Sequence, residues 1–254
     1  MDYLYHYTSI ESLALILKRR TIRFTSLDNV DDMDEGLAND VDGYGQFVFV
    51  SCWTKNAKES IPQWNMYGKD MGGVRIALPK YPFLHYSFLG NPKRIESYPF
   101  QDSLILKDGY IDDASEFPWG ERYLIDVEYL HSSIIQTPVI VEKIDEHNKI
   151  THLGRLGKFK DDCWAFQEEV RYRIILHPTG GVKPDGNGKY RTSIEMKQKF
   201  IDVPIRDDAF EGMQILLGPK HTESNLVILN ALLDTYNPKV QRDVVSSLRI
   251  RNKI

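Results

Sequence analysis

Two short stretches carry side chains able to grip a sugar and steady a positive charge. The first is Tyr5-His6-Tyr7-Thr8-Ser9-Ile10-Glu11. Tyr3, Tyr5 and Tyr7 alternate with Leu4 and His6, the period of a half-buried strand, so His6 and Thr8 fall at a strand end. Thr8 and Glu11 have the T-x-x-E spacing in which hydroxyl and carboxylate satisfy each other's backbone donors at a helix start. The exposed amides of such a start favour anions. The second stretch is Trp164-Ala-Phe-Gln-Glu-Glu-Val-Arg-Tyr-Arg-Ile-Ile-Leu176. Gln167 and Glu169, two apart on a strand, project the same way. Such a pair can hold one ribose by its hydroxyls, with the carboxylate stabilising positive charge as it develops. On spacing alone, the plainer description is preferred: a surface strand whose Glu–Arg pair contributes well under ~1 kcal/mol.

Two further groups have a chemical and a plain reading. Trp64 and Tyr67 lie three apart on a short helix opened by Ser60-Ile-Pro-Gln63 and closed by Gly68, so their rings share a face. They could wall a flat ligand, but taken alone they read as a helix docking aromatics on a sheet. Residues 25–45 are rich in acids, including Asp28, Asp31, Asp32, Asp34, Glu35, Asp40 and Asp42. Clustered carboxylates suit hard cations, yet the spacing fits no calcium loop, so a solvated loop is expected and no metal is assigned.

The elements that must position these residues follow from periodicity. Ile10, Leu13, Ala14 and Leu17 give one apolar helical face, followed by Lys18, Arg19 and Arg20 at the negative end of the helix dipole. Thr21–Phe24 resumes as strand. Gln46–Trp53 is a continuous run of apolar and β-forming residues, and Val74, Ile76 and Leu78 alternate. Tyr123–Tyr129 is another strand, while 138–160 reads as helical in part. Residues 178–193 form a long hairpin connection, and Pro204 suits an edge strand. Thr222 caps a helix with Leu226, Val227, Leu229, Leu232 and Leu233. The Pro- and Gly-rich 80–120 region reads as a loop-rich insertion into a single domain spanning 1–254.

Composition sets the outer limits. The chain of 254 residues is large enough to bury a core, with 42% hydrophobic and 27% charged residues and a net charge of −4. That balance argues against a nucleic-acid-coating surface, though not against a local basic cleft. No apolar run approaches a membrane span, and Asp2 leaves no basic-then-apolar leader. Cys52 and Cys163 lack C-x-x-C spacing and suit a reducing cytoplasm.

The ordered set HYTSIESLALILKRRTIRFTS, Asn29–Glu35, SCWTK…WNMYG…GGVRIAL, WAFQEEVRY and GMQILLGPKHTES resembles a bacterial family of uncharacterised proteins of about this length that opens with HYTS. That family carries an aromatic-E-x-E-W-R segment; Glu169 and Arg171 match it, whereas Gln167 and Val170 stand where it has Glu and Trp. More distantly, the opening strand–helix–strand with its H-x-T is similar to the first unit of ADP-ribosyltransferase-like folds. This second resemblance implies an α+β fold of mixed or antiparallel sheets, a split central β core and flanking helices. It implies NAD as substrate, with His6 on a ribose, Tyr67 or Trp64 covering nicotinamide, and Glu169, assisted by Gln167, as the catalytic carboxylate. The pyrophosphate would lie near Thr8 and Arg23, with Arg171 beside Glu169. The acceptor would be a protein, a nucleic acid or water, in a setting of cytoplasmic defence or toxin biology. The alternative is a non-catalytic nucleotide- or protein-binding module using the same residues, and a metal-dependent nuclease built on Asp31–Glu35 ranks last.

Overall fold

The computed structural model describes residues 2–84, 86–87, 97–98, 110–112, 124–131, 137–143, 149–178, 181–242 and 244–251. The Pro- and Gly-rich insertion therefore lies largely outside the described residues.

Nine strands form the principal sheet: β1 (Tyr3–Thr8), β2 (Thr21–Ser26), β3 (Val48–Thr54), β4 (Val74–Pro79), β5 (Tyr110–Asp112), β6 (Leu124–Asp126), β7 (Glu169–Pro178), β8 (Phe200–Pro204) and β9 (Gln214–Leu217). Their order is β8-β2-β3-β1-β4-β9, and β7 joins β3 and pairs also with β5 and β6. Every pairing in this sheet is antiparallel. The protein is α+β, with antiparallel sheet dominant. Pro204 closes β8, which sits at the sheet edge as the missing amide requires.

The strand that organises the core is β3. Val48, Phe49, Val50 and Trp53 are all buried, as is Phe47 in the turn before them, the continuous apolar pattern of a strand covered on both faces. β7 covers one edge of β3 along its length, from Glu169↔Thr54 to Ile175↔Val48. The other edge is shared. β2 takes its start through Thr25↔Val50 and Ser26↔Phe49, and β1 takes its end through Tyr5↔Thr54. β1 and β2 thus part around residues 51–53, leaving a fork in the sheet. At the fork a side chain stands in for a strand: His6 Nδ1 donates to the Cys52 carbonyl at 2.8 Å.

Helix α1 (Ile10–Arg19) bridges the fork's two prongs and buries Ile10, Leu13, Ile16 and Leu17. Its cap is Ser9, whose Oγ accepts from Ser12 N at 3.1 Å, and not the expected Thr8. The reason is register: β1 stays extended against β4 as far as Thr8↔Val74, so the helix begins one residue later. Glu11 is then free to pair with Lys69. Helix α2 (Ile61–Tyr67) starts at Ser60, as its Ser-x-x-Gln spacing and Pro62 predict. A short α3 (Asp207–Glu211) precedes β9, and α4 (Glu223–Tyr236) is capped by Thr222 with Asn225 completing the reciprocal box.

The described residues within 138–160 are not helical in the way expected, and 144–148 lie outside them. Val141–Lys143 pairs with Lys149–Thr151, and Phe159–Asp161 pairs in parallel with Glu128–Leu130. The β-branched Val139-Ile140-Val141 run and the breaks at Gly154 and Gly157 outweigh the weak helical spacing. Among the described residues, no helix is long and apolar enough to cross a membrane.

Candidate functional site

A cavity of about 250 Å³ opens at the fork. β1 brings His6 to it, β2 brings Arg23 and Thr25, and the unpaired edge of β3 supplies Ser51 and Cys52. α2 closes one side with Gln63 and Tyr67, which lie one turn apart and so share a face. Lys160, Gln167, Glu169 and Glu35 make the floor.

The floor is a buried cluster of two cations and two carboxylates. Lys160 Nζ lies 2.9 Å from Glu169 Oε2 and 3.0 Å from Glu35 Oε1. It donates hydrogen bonds to Glu169 Oε2 and, at 2.8 Å, to Gln167 Oε1. Arg171 Nε donates to Glu169 Oε1 at 2.6 Å, and its Nη1 pairs with Glu35 and donates to the Gly157 carbonyl at 2.9 Å. Gly157 presents that carbonyl from a left-handed turn (φ 68°) that a side chain would strain, and a Cβ there would crowd Leu27. Arg171 is fully buried and Lys160 is 5% exposed. The formal charges sum to zero, which is what allows four ionised groups to remain out of water.

Burial alone would raise the Glu169 pKa, but the Arg171 charge and hydrogen bond, with Lys160 behind them, outweigh it and hold the carboxyl at about 2. Burial works against the charge of Lys160, yet Glu169 and Glu35 carry its pKa above the ordinary lysine value. Arg171 is likewise pushed up by Glu169 and Glu35 against its own desolvation. Glu169, Lys160 and Arg171 are therefore ionised throughout the working range of pH. Burial pushes the Cys52 thiol well up, so it stays protonated and is no nucleophile. Burial also lowers His6 below the usual imidazole value, with the Cys52 carbonyl opposing. His6 is therefore neutral, carries its proton on Nδ1 and keeps a lone pair on Nε2.

Beside the main cavity lies a second of about 220 Å³, sharing His6, Arg23 and Thr25 and lined also by Thr8, Arg19 and Asp202. Asp202 takes Arg23 in a two-pronged contact at 2.9 and 3.1 Å and Arg19 at 2.9 Å. Arg23 also lies 3.5 Å from the Phe200 ring centroid. Two cations and one carboxylate leave this rim locally positive.

Of the residues singled out from sequence, His6, Arg23, Tyr67, Gln167 and Glu169 line the main cavity together. Thr8 lines the neighbouring one instead. Trp64 is behind the wall: it is fully buried, its Nε1 donates to Glu59 at 2.9 Å, and its ring meets Tyr7 edge-on at 4.8 Å. Arg171 is the one member of the floor cluster that does not line the cavity, reaching it through Glu169 and Glu35. Gln167 is not on the strand; it ends a 3-10 segment (Asp162–Gln167), and Glu168 turns left-handed (φ 43°) before Glu169 opens β7. The Glu169–Arg171 pair is no surface pair, since both residues are buried.

Sequence reasoning missed Lys160, Glu35 and Gln63. Glu35 leaves the acidic loop to be 6% exposed in the floor, where a solvated loop was expected. Gln63 sits at the predicted capping-box position, but its amide donates to the Gln167 carbonyl at 2.8 Å. Among the described residues, no group of three or more His, Cys, Asp or Glu could hold a metal ion. No family model, curated protein or solved structure matches this chain.

Proposed function

We propose that the forked cleft binds an NAD-type dinucleotide and that the chain is ADP-ribosyltransferase-like, cleaving the nicotinamide–ribose bond and passing ADP-ribose to a protein, a nucleic acid or water. The observation that carries this reading is the convergence of His6, Tyr67 and Glu169 on one cavity from three separate elements. The fork in an antiparallel core supports the corresponding split-core arrangement. A cavity of about 250 Å³ suits the nicotinamide–ribose half of the dinucleotide rather than the whole. The adjoining cavity, rimmed by Arg19 and Arg23, suits the pyrophosphate.

In this reading the His6 lone pair accepts from a ribose hydroxyl, Tyr67 walls the nicotinamide, and Glu169 faces the ribose. As nicotinamide leaves with the bonding electron pair, the sugar gains oxocarbenium character, which a fixed carboxylate stabilises without reorganising. Arg171 and Lys160 act by fixing that carboxylate, and Gln167 by bridging Lys160 to Tyr67 on α2.

One observation favours a second reading, a non-catalytic nucleotide-binding module. Both Glu169 oxygens already accept from a cation, at 2.6 and 2.9 Å, which blunts the field the carboxylate can present. Incubation with NAD and measurement of free nicotinamide separates the two. The enzyme reading expects release that falls steeply in Glu169→Gln while NAD affinity changes little. Release untouched by that substitution would remove the carboxylate's role. Tight NAD binding with no release from wild type, with candidate acceptors supplied, would favour the module. Thermal melts accompany the variant, because it leaves the floor with an excess cation.

A further inference from the structure

One wall of the cavity has a hydrogen-bond polarity dictated by chemistry. Lys160 Nζ can only donate, and it lies 2.8 Å from Gln167 Oε1. That contact decides which way round the Gln167 amide sits: oxygen toward the lysine, nitrogen away from it. On the far side Gln167 Nε2 donates to Tyr67 Oη at 2.5 Å. The phenol oxygen accepts there, so its own proton remains to be given. Among the described residues that hydroxyl has no other partner, and Tyr67 lines the cavity. Gln63, one turn earlier on α2, donates to the Gln167 carbonyl at 2.8 Å. The helix is therefore pinned to residue 167 at two points, which keeps the phenol in place. Burial raises the Tyr67 pKa, so the proton stays on.

We infer that Lys160, Gln167 and Tyr67 form a one-way donor relay, in which Lys160 and Gln167 are positioning residues and Tyr67 presents an O–H to the ligand. The cavity accordingly selects a ligand group that accepts a hydrogen bond at this wall, such as a carbonyl oxygen, over one that offers N–H there. This rests on the reading of the fork as the ligand site and goes beyond it by assigning the polarity of the wall and the residues that set it. The assignment also predicts how to invert the wall. In Gln167→Glu the ionised carboxylate beside Lys160 can only accept, so the phenol O–H donates to it and the Tyr67 lone pairs turn toward the ligand.

The test uses two neutral aromatic probes of similar size, acetophenone (acceptor only) and aniline (an N–H donor), titrated into the full chain and followed by NMR. Wild type is expected to bind acetophenone more tightly than aniline. Tyr67→Phe is expected to weaken acetophenone about threefold to tenfold, the range for one neutral hydrogen bond, and to leave aniline unchanged. Gln167→Glu is expected to reverse the preference. Acetophenone affinity equal in wild type and Tyr67→Phe, a Gln167→Glu variant with the wild-type preference, or no acetophenone binding at all would each overturn the inference. If Gln167→Glu does not fold, Tyr67→Phe decides alone. A parallel NAD titration keeps the two claims apart. Probe selectivity without NAD binding would sink the dinucleotide reading and keep the relay; NAD binding without selectivity would do the reverse.

Discussion

The molecule pairs cations with carboxylates in two neighbouring places, to opposite ends. At the floor, Lys160, Arg171, Glu35 and Glu169 are all buried and balance to zero. At the rim, Arg19 and Arg23 share Asp202, with both arginine side chains 41% exposed or more and the balance positive. The same residue types thus build a rigid, closed framework in one place and a solvated, rearrangeable anion-attracting edge in the other. Low dielectric makes the floor's contacts strong and their loss severe, whereas water and salt weaken the rim's. A ligand can recruit the rim arginines at small cost; it cannot recruit Lys160 or Arg171 without leaving a buried carboxylate unpaired.

The largest effect should come from breaking the floor. Lys160→Met leaves one uncompensated buried negative charge and should destabilise the fold by about 3–5 kcal/mol in urea unfolding. Adding Glu169→Gln to it restores the charge balance and should recover more than half of that loss; a double variant no more stable than Lys160→Met would show that charge is not what holds the floor. Next comes acid. The Glu169 pKa is about 2 when folded against an ordinary value near ~4.3 when unfolded. Its contribution is therefore complete above the unfolded value and is lost as pH falls from about 4.3 toward about 2, on the order of 3 kcal/mol in total. In Glu169→Gln the unfolding free energy should fall less steeply across that window.

Smaller effects belong to the cleft mouth. Because burial lowers the His6 pKa, nucleotide affinity should be flat from about pH 8 down to about 6.5, and weaken only below that as the Nε2 acceptor is protonated. Weakening already under way at neutral pH would mean that His6 is charged in the folded protein. The smallest stability change should follow Asp202→Asn, well within ~1 kcal/mol for an exposed pair. The same change frees Arg19 and Arg23, so pyrophosphate should bind more tightly at low salt, with the gain fading as salt screens the rim.

How much of this could be read from the sequence depended on whether the signal was local. β3, the edge position of β8, and the helices begun by Ser60 and Thr222 rest on periodicity and caps within a few residues, and all are found. His6, Tyr67 and Glu169 were legible as chemistry but only through resemblance, since nothing in their spacing brings them together. Lys160 and Glu35 were not legible. A lysine in a stretch whose spacing reads as part helix, or one glutamate among seven loop acids, is normally solvated. Each is buried only because distant segments supply its counter-charge. Trp64 shows the converse: a ring that suited a stacking wall is consumed by packing against Tyr7, and Tyr67, three residues further along the helix, reaches the cavity.

The central claim is that the fork in the sheet is a dinucleotide site. Isothermal titration calorimetry of the full chain with NAD tests it most directly. Saturable binding of one NAD per chain is expected, weakened about tenfold or more in His6→Ala, which opens the fork's pin, and by a lesser factor in Arg23→Ala at the rim. No heat of binding at millimolar NAD, or binding indifferent to both substitutions, would contradict it.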